Sequence, residues 1–243
     1  MRRFILIACL FFAAPALAAD ISPVDAPDTI AERVKACTTC HGPEDKAGRD
    51  AYYPRIAGKP EGYLFNQLRN FRDGRRHYRP MAFLLKDLPD EYLREMARHF
   101  ASLNQAFPPP ERLASSPGEV ELARKLIDRG DPARKIPACI ECHGKDLMGT
   151  APFIPGLLGL PRVYIIAQFG NWQHGALMRG QTPDCMSEIA KRLTTSEVSA
   201  IGAWLAAQPV SESLSRRSGQ VATLSPELAR RCASVFLQPE VPQ

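Results

Sequence analysis

Beyond its first eighteen residues the sequence lacks any long apolar run, and it shows no convincing strand pattern. The first absence argues against a later transmembrane segment, so we expect a soluble mature protein. The second predicts an all-α fold. A strong excess of charge is also missing, because the formal net charge of the 243 residues is only +5. Nucleic acid is therefore not indicated as a partner.

The N-terminus is typical of a secretory signal peptide. Two arginines follow the first methionine, residues 4–14 are apolar, and residues 16–18 read Ala-Leu-Ala, as at a cleavage site. A membrane anchor is the weaker alternative, because the run is short and Pro15 interrupts it. We therefore predict a signal peptide over residues 1–18 and export to a bacterial periplasm.

An internal repeat organises the rest of the sequence. Residues 37–41 read Cys-Thr-Thr-Cys-His, and residues 139–143 read Cys-Ile-Glu-Cys-His, at an offset of 102. Further on, Met81 recurs as Met186 at an offset of 105. Each copy has a helix that leads into the cysteines, a loop rich in Gly and Pro, a helix with an apolar stripe, a loop with the methionine and a closing helix. The sequence thus predicts two tandem copies of one helical unit.

A proline-rich segment separates the two copies. Residues 107–110 read Phe-Pro-Pro-Pro, which ends any helix. We predict a first domain over residues 19–107, a linker over 108–117, a second domain over 118–210 and a C-terminal tail over 211–243. Proline makes the linker semi-rigid, which would help to hold the domains in a fixed relation.

The pattern Cys-x-x-Cys-His is typical of covalent haem attachment, because its two thiols can each bond one vinyl group of a porphyrin. The adjacent histidine can then bind the iron. A zinc site usually needs four ligands and each motif supplies three, whereas a thiol redox pair would expect a βαβ context. We therefore predict two covalently bound haem c groups. The predicted attachment residues are Cys37, Cys40, His41, Cys139, Cys142 and His143.

The sixth iron ligand has to come from outside each motif. Met81 and Met186 follow the two motif histidines by 40 and 43 residues, and each lies seven residues before a leucine that precedes the closing helix. We predict iron ligation by His41 with Met81 and by His143 with Met186. Met178 competes for the second haem, although its counterpart in the first copy is a histidine. Ligation by His and Met closes both axial positions, which suits electron transfer rather than catalysis.

Other groups are expected to surround the haems. Pro54 and Pro155 lie thirteen and twelve residues after the motif histidines, so their carbonyls are candidates to accept a hydrogen bond from each imidazole, although either could be a simple turn proline. Arginines also crowd the segment before Met81. They form either a solvated helix face that partners the propionates or a docking rim for an acidic redox partner. These arginines are Arg69, Arg72, Arg75, Arg76 and Arg79.

Two cysteines remain outside the motifs once Cys9 leaves with the signal peptide: Cys185 and Cys232. An exported protein folds in an oxidising compartment, where an unpaired thiol is uncommon. We therefore predict a Cys185–Cys232 disulfide, which would tie the tail beside Met186.

These residues together resemble the diheme cytochrome c4 family, periplasmic electron carriers made of two class I cytochrome c domains. The resemblance covers about residues 30–208 and is most specific over residues 63–68, Tyr-Leu-Phe-Asn-Gln-Leu, and 71–76, Phe-Arg-Asp-Gly-Arg-Arg. It implies the same His/Met ligand sets and two haems near a pseudo-twofold domain interface, with their propionates close together. It also implies transfer from a quinol-oxidising complex towards a terminal oxidase, with membrane respiratory complexes as partners.

The tail after residue 210 departs from the family pattern. It favours an alternative in which the protein is the diheme electron-transfer subunit of a periplasmic dehydrogenase. A haem enzyme, such as a thiosulfate dehydrogenase or a peroxidase, is a further alternative. It would need an open iron and a convergent polar pocket, and the sequence supplies a methionine for each haem instead. The leading expectation is an electron carrier and not an enzyme.

Overall fold

The computed structural model describes most of the chain between the predicted signal peptide and the tail, in the ranges 28–43, 52–104, 106–175, 177, 184–211 and 226–232. Across these residues the fold is mostly helical, which confirms the predicted all-α class. No helix in these ranges is both long and apolar enough to cross a membrane. The predicted signal peptide, Cys9, Met178 and most of the tail lie outside the described residues.

Helices of the first copy pack their apolar faces around one core. In chain order they are α1 (Ile30–Arg33), α2 (Lys35–His41), α3 (Glu61–Arg72), α4 (Arg79–Leu85) and α5 (Asp90–Ser102). In α5, Leu93, Ala97 and Phe100 recur at helical spacing and are buried. They meet Leu64 and Phe65 of α3, so that the α3–α5 pair forms the centre of this core.

The helix that enters the first motif is split in two. The sequence predicts one helix over residues 29–35, and the structure has α1 and α2 with a break at Val34, whose side chain is buried in the core. The hydroxyl of Thr29 caps α1 by accepting a hydrogen bond from the backbone N–H of Glu32 at 3.3 Å. Because α2 carries the whole Cys-x-x-Cys-His sequence, the motif itself is helical.

The second copy repeats this order around its own core. Its helices are α6 (Pro117–Asp128), α7 (Cys139–His143), α8 (Arg162–Gln173), α9 (Cys185–Ala190) and α10 (Thr195–Ala206). A capping box of Ser116 and Glu119 opens α6. The sequence Thr194-x-x-Glu197 predicts another at the start of α10, and the structure has it. The helix α10 packs against α6 and α8, and its buried side chains join theirs in this core.

A short hairpin adds strands to the predicted helical elements. The strands β1 (Gly149–Thr150) and β2 (Ile154–Pro155) pair antiparallel, with Gly149 opposite Pro155. Two-residue strands are too short to show an alternating pattern in a sequence. Both strands contact α7, so the hairpin brings the loop of Pro155 to the second motif.

The two copies share unusual backbone angles as well as sequence. Gly42 and Gly144, directly after the motif histidines, have φ angles of 88° and 84°. Residues with a side chain rarely adopt such angles, so glycine ends α2 and α7 without strain. The backbone therefore confirms that the Cys-His-Gly strings occupy equivalent places in the two copies.

The copies also contact each other directly. The backbone N–H of Tyr63 in α3 donates to the carbonyl oxygen of Pro152 at 3.0 Å. Beside it, Gly62 lies so close to Phe153 that an added Cβ would be 2.5 Å from the ring. In the segment between the copies, the Phe107 ring packs against the second core while the guanidinium of Arg55 lies 4.0 Å over it.

Candidate haem sites

A cavity of about 190 Å³ lies beside the second Cys-x-x-Cys-His motif. Cys139, Cys142 and His143 of α7 line it, and Met186 of α9 lines it as well. The remaining wall is largely apolar and comes mostly from the core helices α6, α8 and α10. Its larger members are Leu126, Ile165, Phe169, Trp172, Ile201 and Leu205.

Both motif histidines hold their rings through a backbone carbonyl. Nδ1 of His143 lies 2.7 Å from the Pro155 oxygen, and Nδ1 of His41 lies 2.8 Å from the Pro54 oxygen. A carbonyl can only accept, so Nδ1 carries the hydrogen and Nε2 keeps its lone pair for a metal. The two proline carbonyls are thus confirmed as hydrogen-bond partners.

Burial also favours the neutral imidazoles. It lowers the pKa of His41 and the pKa of His143, and this outweighs the opposing effect of the two carbonyl hydrogen bonds. A neutral imidazole is the form that binds a metal. The local environment and the ring orientation therefore suit the same chemistry.

The motif cysteines do not have the properties of a redox thiol pair. None of the four is in a disulfide, and burial raises the pKa of Cys139 to about 12 and raises that of Cys37. Reactive cysteines instead have lowered pKa values, because the thiolate is the nucleophile. The burial of Cys37 and Cys139 therefore fits attachment points better than a reactive pair.

The two candidate methionines lie on short helices, so the prediction that they occupy loops is wrong. Met81 is the third residue of α4, and Met186 is the second residue of α9, where the Asp184 side chain accepts from the Ser187 backbone N–H at 3.4 Å. Each is half-buried against the core of its own copy. A side chain near the start of a short helix is held in direction by that helix, which suits a fixed ligand.

Met148 has a different environment from Met186. It is buried in the second core, and it does not line the cavity that holds the motif. Its position fits the ordinary role of methionine as a filler of irregular core space.

Three of the arginines before Met81 form ion pairs with carboxylates of the first copy, so they do not form a free rim. Arg72 pairs with Asp90 at 2.7 Å and Arg75 pairs with Asp73 at 2.7 Å, and these arginine side chains are only 18% and 22% exposed. Arg69 also lies beside these carboxylates. Arg79, at the start of α4, is exposed. The sequence could not show these pairings, because a cluster of arginines carries no sign of which carboxylates reach it.

Arg76 points into the contact between the copies. Its guanidinium donates to the side-chain oxygen of Gln168 at 2.8 Å and to the Tyr164 hydroxyl at 3.3 Å. It also stacks 4.6 Å over the ring of Phe71. Sequence reasoning did not foresee that a first-copy arginine would reach α8 of the second copy.

First-copy residues complete the second cavity. Lys59 and Tyr63 line it together with Arg76. The cavity thus combines two thiols, an imidazole, a thioether, a broad apolar wall and cations at one side. A haem matches this set, because it has a flat apolar body, two vinyl groups, an iron with two axial positions and two carboxylates on one edge.

The predicted disulfide is confirmed. Cys185 and Cys232 are bonded, with their Cα atoms 5.0 Å apart, and both are buried. Cys232 follows the tail helix α11 (Pro226–Arg231) and lines the cavity, as Cys185 does. The bond therefore fixes part of the tail beside Met186.

Comparisons with known proteins place these features in a family. No protein-family model matches the chain. The chain is 36% identical to a thiosulfate dehydrogenase electron acceptor of Thiomonas intermedia, over 87% of this chain and 93% of that protein. It is 30% identical to cytochrome c4 of Pseudomonas aeruginosa, over 73% of this chain and 87% of that protein.

Solved structures agree on the fold. The chain is similar to a thiosulfate dehydrogenase of Marichromatium purpuratum, with a TM-score of 0.64 and 28% identity, and the match covers 74% of this chain but only 39% of that one. Cytochrome c4 of Pseudomonas stutzeri has a TM-score of 0.62 and 24% identity, with 73% and 96% covered. The protein carries two covalent haem c groups and is an electron carrier rather than an enzyme. Its sequence and fold make it a member of the diheme cytochrome c4 family.

Proposed function

We propose that this protein is a periplasmic electron acceptor for a thiosulfate dehydrogenase, taking one electron on each haem. The observation that carries the proposal is the 36% identity to a thiosulfate dehydrogenase electron acceptor, which extends over 93% of that protein. A match over only part of that protein would also fit a haem domain that proteins of different function share. A match over nearly the whole relative supports the same role for the whole chain.

The proposal includes the ligand sets, with His41 and Met81 on the first iron and His143 and Met186 on the second. The second set is supported by the cavity that His143 and Met186 both line. The first set is supported by the same imidazole hydrogen bond and by the packing of Met81 on the first core. Bound haem supplies a one-electron iron couple, and the chain supplies ligands that change little between the two oxidation states.

Closed coordination is what a carrier requires. In the second site the motif helix, the Pro155 carbonyl and the methionine helix hold the proposed ligands, and the surrounding wall is largely apolar. Little then has to rearrange when an electron arrives. This supports a role in transfer, where rearrangement would slow every step.

The predicted domain boundaries and location belong to the same proposal. One core draws on residues 34–100, within the predicted first domain of 19–107, and the other on residues 123–205, within 118–210. A disulfide between Cys185 and Cys232 suits the oxidising periplasm to which the predicted signal peptide would send the chain.

A second candidate function is transfer from a quinol-oxidising complex towards a terminal oxidase. It is favoured by the 30% identity to cytochrome c4 over 87% of that relative. The two candidates differ in the electron donor and share the same haem chemistry.

A direct reduction assay separates the two donors. Oxidised holoprotein is mixed with a thiosulfate dehydrogenase and thiosulfate, and in parallel with a quinol-oxidising complex and quinol, while haem reduction is followed by absorbance. We expect thiosulfate-dependent, saturable reduction of both haems that outpaces the quinol reaction. Reduction by the quinol complex alone would replace the proposal with the second candidate.

A further inference from the structure

Two cations of the first copy face the cavity that contains the second motif. Lys59 follows the first Gly-rich loop, and Arg76 follows α3, yet both line this cavity beside residues of α8. The ammonium of Lys59 lies 6.0 Å from the centre of the Tyr63 ring, and Arg76 reaches Tyr164 and Gln168 across the contact. Each charge thus reaches from one copy into the site of the other, and Arg76 also lies close enough to His41 of its own copy to lower the pKa of that imidazole.

Neither cation has a carboxylate within ion-pair distance in the part of the chain that the structure describes. The groups that Arg76 meets there are neutral amides, hydroxyls and rings. Burial, together with the charges of the nearby Arg55 and Arg76, lowers the pKa of Lys59 to about 7. An unpaired charge in such surroundings is costly, so buried charges in proteins are normally paired. The arrangement indicates that an anion belongs at this edge of the cavity.

The two cations occur in only one copy of the repeat. At the offset of 101, Lys59 corresponds to Leu160 and Arg76 corresponds to Leu177. Both leucines are buried and line the same cavity. The second copy therefore offers apolar groups where the first offers cations, and the pseudo-symmetry of the repeat is broken at the contact.

We propose that Lys59 and Arg76 form an anion site that holds the propionate carboxylates of the second haem and raises the reduction potential of that haem. The assignment rests on the proposed His143–Met186 site. The sign follows from charge: the oxidised haem carries one more positive charge than the reduced haem, so nearby cations disfavour the oxidised form. Reduction adds one electron to the iron and breaks no bond. Lys59 and Arg76 are positioning residues, because they act through the carboxylates.

The test is a redox titration of the holoprotein. NMR spectra follow the two haems separately through their paramagnetically shifted methyl signals. In Lys59→Met, we expect the equilibrium constant for one-electron reduction of the second haem to fall about tenfold. This is equivalent to a reduction potential lower by about 59 mV. The first haem should change less. Lys59→Arg should keep the wild-type reduction potential, because it retains the positive charge. Lys125→Met, which removes an exposed lysine of α6, is the matched control and should shift neither haem by more than about twofold.

Arg76→Gln is the second variant, and it keeps the test decisive where Lys59→Met folds poorly. It should lower the potential of the second haem in the same direction, and the first haem should respond as well, because Arg76 also acts on His41. Equal shifts of both haems in Lys59→Met, or no shift of the second haem in either neutral variant, would overturn the anion site. The long-wavelength band of iron–methionine bonding is read on the same samples. A missing band in the unaltered protein would refute the proposed ligand set instead, so the two failures are distinguishable.

Discussion

His143 and Pro155 are joined by a 2.7 Å contact between Nδ1 and the carbonyl oxygen, and the contact ties the motif helix α7 to the strand β2. His41 and Pro54 repeat it at 2.8 Å in the first copy. In both copies the imidazole is thus oriented by the backbone before any metal is considered. The orientation leaves Nε2 available, which is the geometry that an iron ligand needs.

Replacement of Met186 by alanine tests the second ligand set. We expect Met186→Ala to keep both covalent haems and to lose the iron–methionine band of one haem only, since the thioether is removed and the thiols are not. The oxidised absorption spectrum measures this. Met148→Leu is the control, because Met148 lies in the core and not in the cavity lining, and it should keep the full band. A full band in Met186→Ala would point to Met178 as the ligand.

Loss of the disulfide should weaken the second copy selectively. Cys232→Ser removes a cross-link between residues 47 positions apart. We expect the free energy of unfolding to fall by about 2–4 kcal/mol, because the cross-link restricts the unfolded chain. Denaturant unfolding followed at the second haem measures it. Cys185→Ser should match Cys232→Ser, and two free thiols in denatured, unreduced wild-type protein would contradict the prediction.

The ion pair between Arg134 and Glu197 should make the second copy sensitive to acid. Nη2 of Arg134 lies 2.6 Å from Oε1 of Glu197. Hydrogen bonding to Arg134 is the main cause of the lowered pKa of Glu197, and Thr194 adds to it. A lowered folded-state pKa means that the stabilisation is fully present above the ordinary glutamate pKa of about 4.3. It is lost as the pH falls through the folded value.

Glu197→Gln isolates this contribution. At neutral pH we expect the variant to be less stable by about 1 kcal/mol, because the buried Glu197 loses its charge-assisted hydrogen bond, whereas Arg134 keeps Asp131 as a partner. The difference from wild type should shrink as the pH falls below about 4.3. Chemical unfolding at several pH values provides the measurement, and a difference that stays constant with pH would count against the pair.

Two helical glycines allow a matched test of the contact between the copies. Gly62→Ala places a Cβ 2.5 Å from the Phe153 ring, so either the ring or the contact has to shift, and we expect a loss of stability. In Gly170→Ala, by contrast, nothing lies within 4 Å of the new atom. That variant should gain up to about 1 kcal/mol from helix propensity. Thermal unfolding compares them, and a gain of stability in both would show that the copies do not need this close approach.

Local features of the chain were well predicted from sequence, because each depends on residues near one another. The two motifs and the capping box at Thr194 are of this kind. The proline carbonyls followed from their distance along the chain to each histidine. The Cys185–Cys232 bond followed from counting, since two cysteines were left over in an oxidising compartment. Two-residue strands and the split at Val34 escaped because they are shorter than any periodic signal.

The amino-acid sequence by itself determined that there are two equivalent helical units, each with two thiols, a histidine and a methionine in matching order. Only the tertiary structure decided which charges meet. It paired Arg72 with Asp90 and sent Lys59 and Arg76 into the cavity of the other copy. The reason is physical: a motif is read along the chain, whereas an ion pair or a shared cavity depends on how separate helices pack. The repeat predicts two similar sites, and packing makes the second one depend on both copies.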